Sequence, residues 1–155
     1  MNAERLKKWK ASAQRFTAYR ERSPKEVADK LRELDAPQGA IDKILIDLIA
    51  DKFIDEFRFA RAFCHDKFLI NKWGKRRIEM EIRRHDLSYE AIQQGLDYIN
   101  NEEYNTTVLK LTQSKWNKLK DKDPYKKKQK TVAYLTQKGY ESDLIWEAIK
   151  KITSE

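Results

Sequence analysis

The chain has 155 residues, 33 Lys+Arg against 25 Asp+Glu, a formal net charge of +8, and 40% hydrophobic residues. Its mean hydropathy of −0.88 is low, yet its supply of Leu, Ile, Phe, Tyr and Trp excludes wholesale disorder. Only 4 Gly and 3 Pro are too few for the turns of an all-β fold, and the single cysteine, Cys64, excludes an intramolecular disulfide and a cysteine-based zinc site.

From the N-terminus, Met1 to Arg15 contains no signal-like apolar run, and no stretch approaches the roughly 18 apolar residues of a membrane span. A soluble, cytoplasmic protein is expected. Leu6, Trp9, Ala13 and Phe16 share one face of a helix predicted over about 3–20. Ser23-Pro24-Lys25-Glu26 then combines an N-cap serine, a proline at the first helical position and a glutamate three residues past the cap. The helix–turn–helix it opens has Val27, Leu31, Ala36, Ile41 and Leu45 as apolar positions.

A helix over about 55–70 carries two stripes, Phe53, Phe57, Ala60, Cys64 and Phe68 on one and Phe59, Phe63 and Ile70 on the other, as expected of a helix buried on two sides. Gly74 is placed to cap the next helix, with Ile78 and Ile82 inward, and Ser88 to cap another over about 89–100. A helix over about 102–120 holds Tyr104, Val108 and Leu111 on one stripe and Leu109, Thr112, Trp116 and Leu119 on a second. Asp123-Pro124 opens a helix that Gly139 ends, and Ile145 and Ile149 mark the last.

These elements repeat. Ile78, Ile82, Leu87, Ile92 and Leu96 have counterparts at Val27, Leu31, Ala36, Ile41 and Leu45, and again at Thr131, Leu135, Tyr140, Ile145 and Ile149, with the same spacing in each set. A further helix precedes each pair. The expected architecture is all-α: three tandem three-helix repeats, at 1–54, 55–100 and 101–155, stacked into an elongated protein.

The positive charge falls in two clusters. Lys72, Lys75, Arg76, Arg77, Arg83 and Arg84 lie around one helix, where the seven-residue spacing of Arg76 with Arg83 and of Arg77 with Arg84 puts each pair on a shared outward face. Guanidinium groups suit bidentate capture of phosphate or carboxylate. The second cluster runs from Lys115 to Lys130 and includes Lys126, Lys127, Lys128 and Lys130; such lysine runs suit diffuse attraction to phosphates, or else form a solvated surface. Trp73 and Tyr125 interleave with the charge and suit base stacking, although Trp73 also fits a hydrophobic staple, at N′ with Ile78 at N4, and that reading is preferred.

Catalytic constellations are absent from the sequence. His65 and His85 belong to no metal-binding pair, no glycine-rich phosphate loop occurs, and Asp55/Glu56 and Glu102/Glu103 sit at helix starts, where carboxylates favour the helix dipole. Cys64 lies on an apolar stripe, as a packed thiol does. A non-enzymatic protein without cofactor or metal is expected.

Asp55-x-x-x-Phe59-Ala60, then Lys72-Trp73-Gly74-Lys75-Arg76-Arg77-Ile78-x-x-Glu81-Ile82-Arg83, then Leu87 and Ile92, resembles the signature of the RecX family of bacterial recombination regulators. The likeness extends from about Phe16 to Ile152. It departs at His85-Asp86, where the family usually has Lys-Gly, a form retained at Lys138-Gly139. The resemblance implies a curved stack of three repeats that lodges in the groove of the RecA filament on single-stranded DNA. It implies inhibition of RecA ATP hydrolysis and strand exchange, and so a role in recombination, DNA repair and the SOS response, with no catalytic activity. A monomer is expected, with Arg76, Arg77, Arg83 and Arg84 as first contacts and the Lys126–Lys130 cluster second; Phe59, Ala60, Gly74 and Ile78 are assigned to the fold. The alternatives are a stand-alone nucleic-acid-binding protein, which predicts steep salt dependence without recombinase, and a helical adaptor that leaves the basic clusters unused.

Overall fold

A computed structural model describes residues 2–154, and among them every regular element is helical, as the sequence predicts. Helix α1 (Ala3–Tyr19) starts at Asn2, whose side chain accepts from the Glu4 N–H, and buries Trp9 and Ala13. The Trp9 indole N–H donates to the Leu34 carbonyl at 3.1 Å, so this large ring enters the core with its polar atom satisfied. Helix α2 (Pro24–Glu33) begins with the complete capping box that Ser23 and Glu26 predict, and α3 (Gln38–Ala50) follows after a short turn. The three helices pack on one another around Val27, Leu31, Ile41, Ile44 and Leu48.

Here the repeat template is one step out. Leu45 is only partly buried, whereas Ile44 and Leu48 are 1% and 0% exposed. The inward face of α3 therefore runs through Ile41, Ile44 and Leu48, the i, i+3, i+7 course of a regular helix.

Helix α4 (Glu56–Leu69) is capped by Asp55, whose Oδ1 accepts from the Phe57 and Arg58 N–H groups at 2.9 and 3.1 Å. It buries Phe59, Ala60, Cys64 and Phe68. Ile70, assigned to its second stripe, is 76% exposed because the helix ends at Leu69 and releases it from the helical phase. Helix α5 (Lys75–Ile82) buries Ile78 and Ile82 and passes into a 3₁₀ turn, Arg83–His85. Helix α6 (Tyr89–Asp97) is capped by Ser88, whose hydroxyl accepts from Ala91 N–H, and ends three residues short of the predicted Asn100. That asparagine instead caps α7 (Asn101–Lys118) through the Glu103 N–H. Helix α8 (Pro124–Lys138) starts at the predicted Asp123-Pro124, and α9 (Ser142–Thr153) closes the sequence of elements.

The helices group into two compact units, residues 1–63 with 82–95, and residues 64–81 with 96–155. The chain passes from the first unit into the second within α4 and again within α6, between Gly95 and Leu96. In the second unit α7, α8 and α9 pack on one another, and Phe68, Tyr104 and Tyr140 form a chain of rings with centroids 5.5 and 5.3 Å apart. Tyr104 donates to the Glu141 carboxylate and accepts from the Lys75 N–H, so its buried hydroxyl is satisfied twice.

One backbone feature unites the three repeats. Asp35, Asp86 and Gly139, at equivalent repeat positions, all adopt the left-handed conformation, with φ of 62°, 57° and 102°. His85-Asp86 thus builds the same kind of turn as Lys138-Gly139, because aspartate is among the few residues that tolerate this region.

Candidate partner interface

Two glycines position the basic residues of the second unit. Gly74 N–H donates to the Lys138 carbonyl at 2.7 Å and Arg76 N–H donates to the Gly139 carbonyl at 3.0 Å. The two backbones are so close that a Cβ on Gly74 would strike the Gly139 carbonyl, and one on Gly139 would strike Arg77. Side chains cross the same junction: Lys138 Nζ donates to the Asn71 carbonyl at 3.1 Å, an Arg77 Nη donates to the Gln137 carbonyl at 3.5 Å, and the Tyr140 hydroxyl donates to the Lys72 carbonyl at 2.7 Å. Arg77 and Lys138 are thereby held at the C-terminal end of α8, whose free carbonyls favour cations.

Lys72, Arg77 and Lys138 form one positive group. Burial lowers the Lys138 ammonium below the usual lysine range, with the nearby Arg77 and Lys72 charges adding to the effect. Arg77 also lies 4.2 Å from the Trp73 ring centroid, and Lys67 lies 5.1 Å from it. The Gly74 carbonyl accepts from Ile78 N–H at 3.1 Å, the bond expected of the capping residue that the staple reading requires.

The other predicted contacts have different settings. Lys75 turns toward its own unit, with its ammonium 5.0 Å from the Tyr104 ring centroid, and Arg76 is exposed. Arg83 and Arg84 are exposed on the 3₁₀ turn. Arg76 and Arg77 stand on α5 and Arg83 and Arg84 on the 3₁₀ turn after Ile82, so the seven-residue spacing within each pair does not run through one regular α-helix. In the lysine run, Lys126 is exposed, Lys128 is half-buried, and Lys130 pairs with Asp121 at 2.8 Å, holding that carboxyl below its usual range. Lys127 lies 4.6 Å from the Trp116 ring centroid. Tyr125 is 66% exposed and its hydroxyl accepts from Gln129.

Sequence reasoning passed over Lys138, Lys67 and Tyr134. Lys138 does stand four residues after Tyr134, a spacing that places their side chains together on a helix, and its ammonium lies 5.9 Å from that ring centroid. Its proximity to Arg77 is a long-range fact with no sequence signal.

His85, where a lysine was expected from the resemblance, belongs to the first unit. Its Nδ1 is 2.9 Å from the Ser23 hydroxyl and 3.8 Å from a Glu26 carboxylate oxygen, and its ring lies against Phe59 and Phe63. Cys64 is fully buried, and burial pushes its thiol up to about 12, which suppresses the nucleophilic thiolate at neutral pH. Among the described residues no group of His, Cys, Asp and Glu is placed to hold a metal ion, and no helix is long and apolar enough to cross a membrane.

Comparison with known proteins places these features in a family. Residues 55–96 match the family model described as RecX, second three-helix domain, and residues 102–149 match RecX, third three-helix domain. A regulatory protein RecX of Clostridium beijerinckii is 29% identical over 152 residues, spanning 97% of this chain and 70% of that protein. One from Listeria monocytogenes serotype 4b is 32% identical, covering 99% of this chain and 57% of its own length. The crystal structure of RecX from Lactobacillus salivarius superposes with a TM-score of 0.89 at 21% identity, over 99% of this chain and all of that one, a likeness of fold.

Proposed function

The chain belongs to the RecX family of regulatory proteins, and from that premise we propose that it binds the RecA recombinase filament on single-stranded DNA and restrains its ATP hydrolysis and strand exchange. The observation that carries this reading is the group of Lys72, Arg77 and Lys138 around the Gly74–Gly139 junction. Arg77 and Lys138, held by bonds to backbone carbonyls, present a stable positive surface to an acidic filament or to its DNA, and complementary fields of this kind speed encounter and set orientation. Arg76 adds a further cation in the second unit and Arg83 and Arg84 are contacts offered by the first, with Lys126, Lys127, Lys128 and Lys130 as another contact region. The action is steric and electrostatic, consistent with a Cys64 thiol that is buried and poorly ionised.

The test is to follow ATP hydrolysis and strand exchange by the recombinase on single-stranded DNA while the protein is titrated in. Inhibition well below one molecule per recombinase subunit is expected, and its weakening on charge reversal of Arg76, Arg77, Arg83 and Arg84. No inhibition even at equimolar protein would overturn the reading.

A further inference from the structure

Lys138 is fastened at both ends. Its carbonyl accepts from Gly74 N–H at 2.7 Å, and its half-buried side chain runs beside the Tyr134 ring to donate to the Asn71 carbonyl at 3.1 Å. Arg77 is drawn to the same helix end by its bond to the Gln137 carbonyl. Lys10, Lys25, Lys130 and Lys151 each face a carboxylate, at 3.4, 3.2, 2.8 and 4.0 Å, whereas the charges acting on Lys138 are those of Arg77 and Lys72. This difference bears on covalent chemistry. A lysine nitrogen attacks an acyl carbon only through the lone pair of its neutral form, which a carboxylate neighbour disfavours and cationic neighbours favour. The bond to Asn71 favours the ammonium, but burial first, and then Arg77 and Lys72, outweigh it and hold the group below the usual lysine range. One N–H of the neutral amine keeps the Asn71 bond, which leaves the lone pair pointing away from that carbonyl. The same two cations attract a small anionic donor, and Arg77 has N–H groups beyond the one given to Gln137 for its phosphate oxygens.

We propose that Lys138 is an acylation site for acyl phosphates, drawn in by Arg77 and Lys72, and that acylation there relaxes the restraint on the recombinase. In the reaction a bond forms between Lys138 Nζ and the acyl carbon, and the bond from that carbon to the phosphate oxygen breaks. Inorganic phosphate leaves with the electron pair of the broken bond, and the surplus proton on nitrogen passes to it or to water. The product is a neutral amide, so the group of Lys72, Arg77 and Lys138 loses one of its three positive charges. The effect on the recombinase rests on the regulatory reading above; the modification itself does not.

Incubation of the full chain with acetyl phosphate at neutral pH, with the rate at each lysine followed by peptide mass spectrometry, tests the site. Lys138 is expected to react about fivefold faster than Lys7 and Lys8, which are exposed on α1. K72Q and R77Q each remove one guiding charge and are expected to slow Lys138 about threefold, the effect of an exposed charge pair, while Lys7 and Lys8 keep their rates. K72Q, at an exposed position, decides the matter if R77Q no longer folds by circular dichroism. With N-hydroxysuccinimidyl acetate, an uncharged donor, the K72Q effect should shrink, because no anion is being attracted. The site is refuted if Lys138 reacts no faster than Lys7 and Lys8, if K72Q leaves its rate unchanged, or if K72Q slows both donors equally. For the consequence, Lys138→Nε-acetyl-lysine is expected to raise the inhibitory midpoint of recombinase ATP hydrolysis about threefold. An unchanged midpoint, or a chain that no longer folds, overturns that half of the proposal. A wild-type chain whose Lys138 reacts as expected but which does not inhibit the recombinase ends the regulatory reading and leaves the acylation site standing.

Discussion

Backbone conformation at single residues explains how the family's Lys-Gly turn survives without glycine. Asp86 holds φ at 57°, inside the small left-handed well open to L-residues, whereas Gly139 holds 102°, beyond it, with Arg77 so close that any added Cβ would clash with it. Asp86→Gly is therefore expected to change stability by less than about 1 kcal/mol, because relief of left-handed strain is offset by the greater freedom of glycine in the unfolded chain, and Gly139→Ala to destabilise it by more than about 1 kcal/mol, as read by urea denaturation. His85 shows a second residue-scale effect. Burial lowers its folded-state pKa, opposed by Glu26 and Asp86 and assisted by Lys25 and Arg20, while Ser23, Phe59 and Phe63 fill the rest of its surroundings. The unfolded chain then binds the proton more readily, so His85 contributes stability above its ordinary value of about 6.5 that is lost as pH falls through the lowered folded value. Melting temperatures from pH 7.5 down to 5 should fall more steeply for wild type than for His85→Gln; parallel curves would count against this.

Helix-scale packing follows from the period of the apolar pattern and from which residues are claimed by caps. Asn100 illustrates the second point, because its side chain serves the start of α7 and so α6 stops at Asp97. Leu45 illustrates the first. Its counterparts Leu96 and Ile149 are 6% and 1% exposed, but in α3 the inward place passes to Ile44 and Leu48. Leu48→Ala should cost about 2–5 kcal/mol, the range for a filled core site turned into a cavity, and Leu45→Ala markedly less. Chemical denaturation of the two variants checks this, and equal losses would restore the repeat template. The hydroxyl of Thr112, on α7, is buried and donates to the Val108 carbonyl at 2.7 Å, which explains how a polar residue occupies an inward position.

For the molecule as a whole, a net charge of +8 predicts that the proposed inhibition of the recombinase weakens with ionic strength, since counterion release drives phosphate contacts and salt screens exposed charges. Raising salt from about 50 to 200 mM should lower the apparent affinity for filaments by at least tenfold, measured by the inhibitory midpoint of ATP hydrolysis. Much of the fold was legible beforehand. The scarcity of Gly and Pro, the apolar spacing around Val27, Ile78 and Leu135, and the caps at Ser23, Ser88 and Asp123 determine an all-helical chain with recurring three-helix units, because caps and helical periodicity are local properties. The motif around Lys72–Arg83 also identified the family. What only the tertiary structure decided is which charges act together. Arg77 and Lys138 lie far apart in the chain, and their junction depends on two glycine backbones meeting, a contact that no local pattern encodes. The separate roles of Lys127 beside Trp116, Lys130 paired with Asp121 and Lys75 over Tyr104 have the same origin: neighbouring lysines look alike in sequence, and helix packing alone assigns each its surroundings.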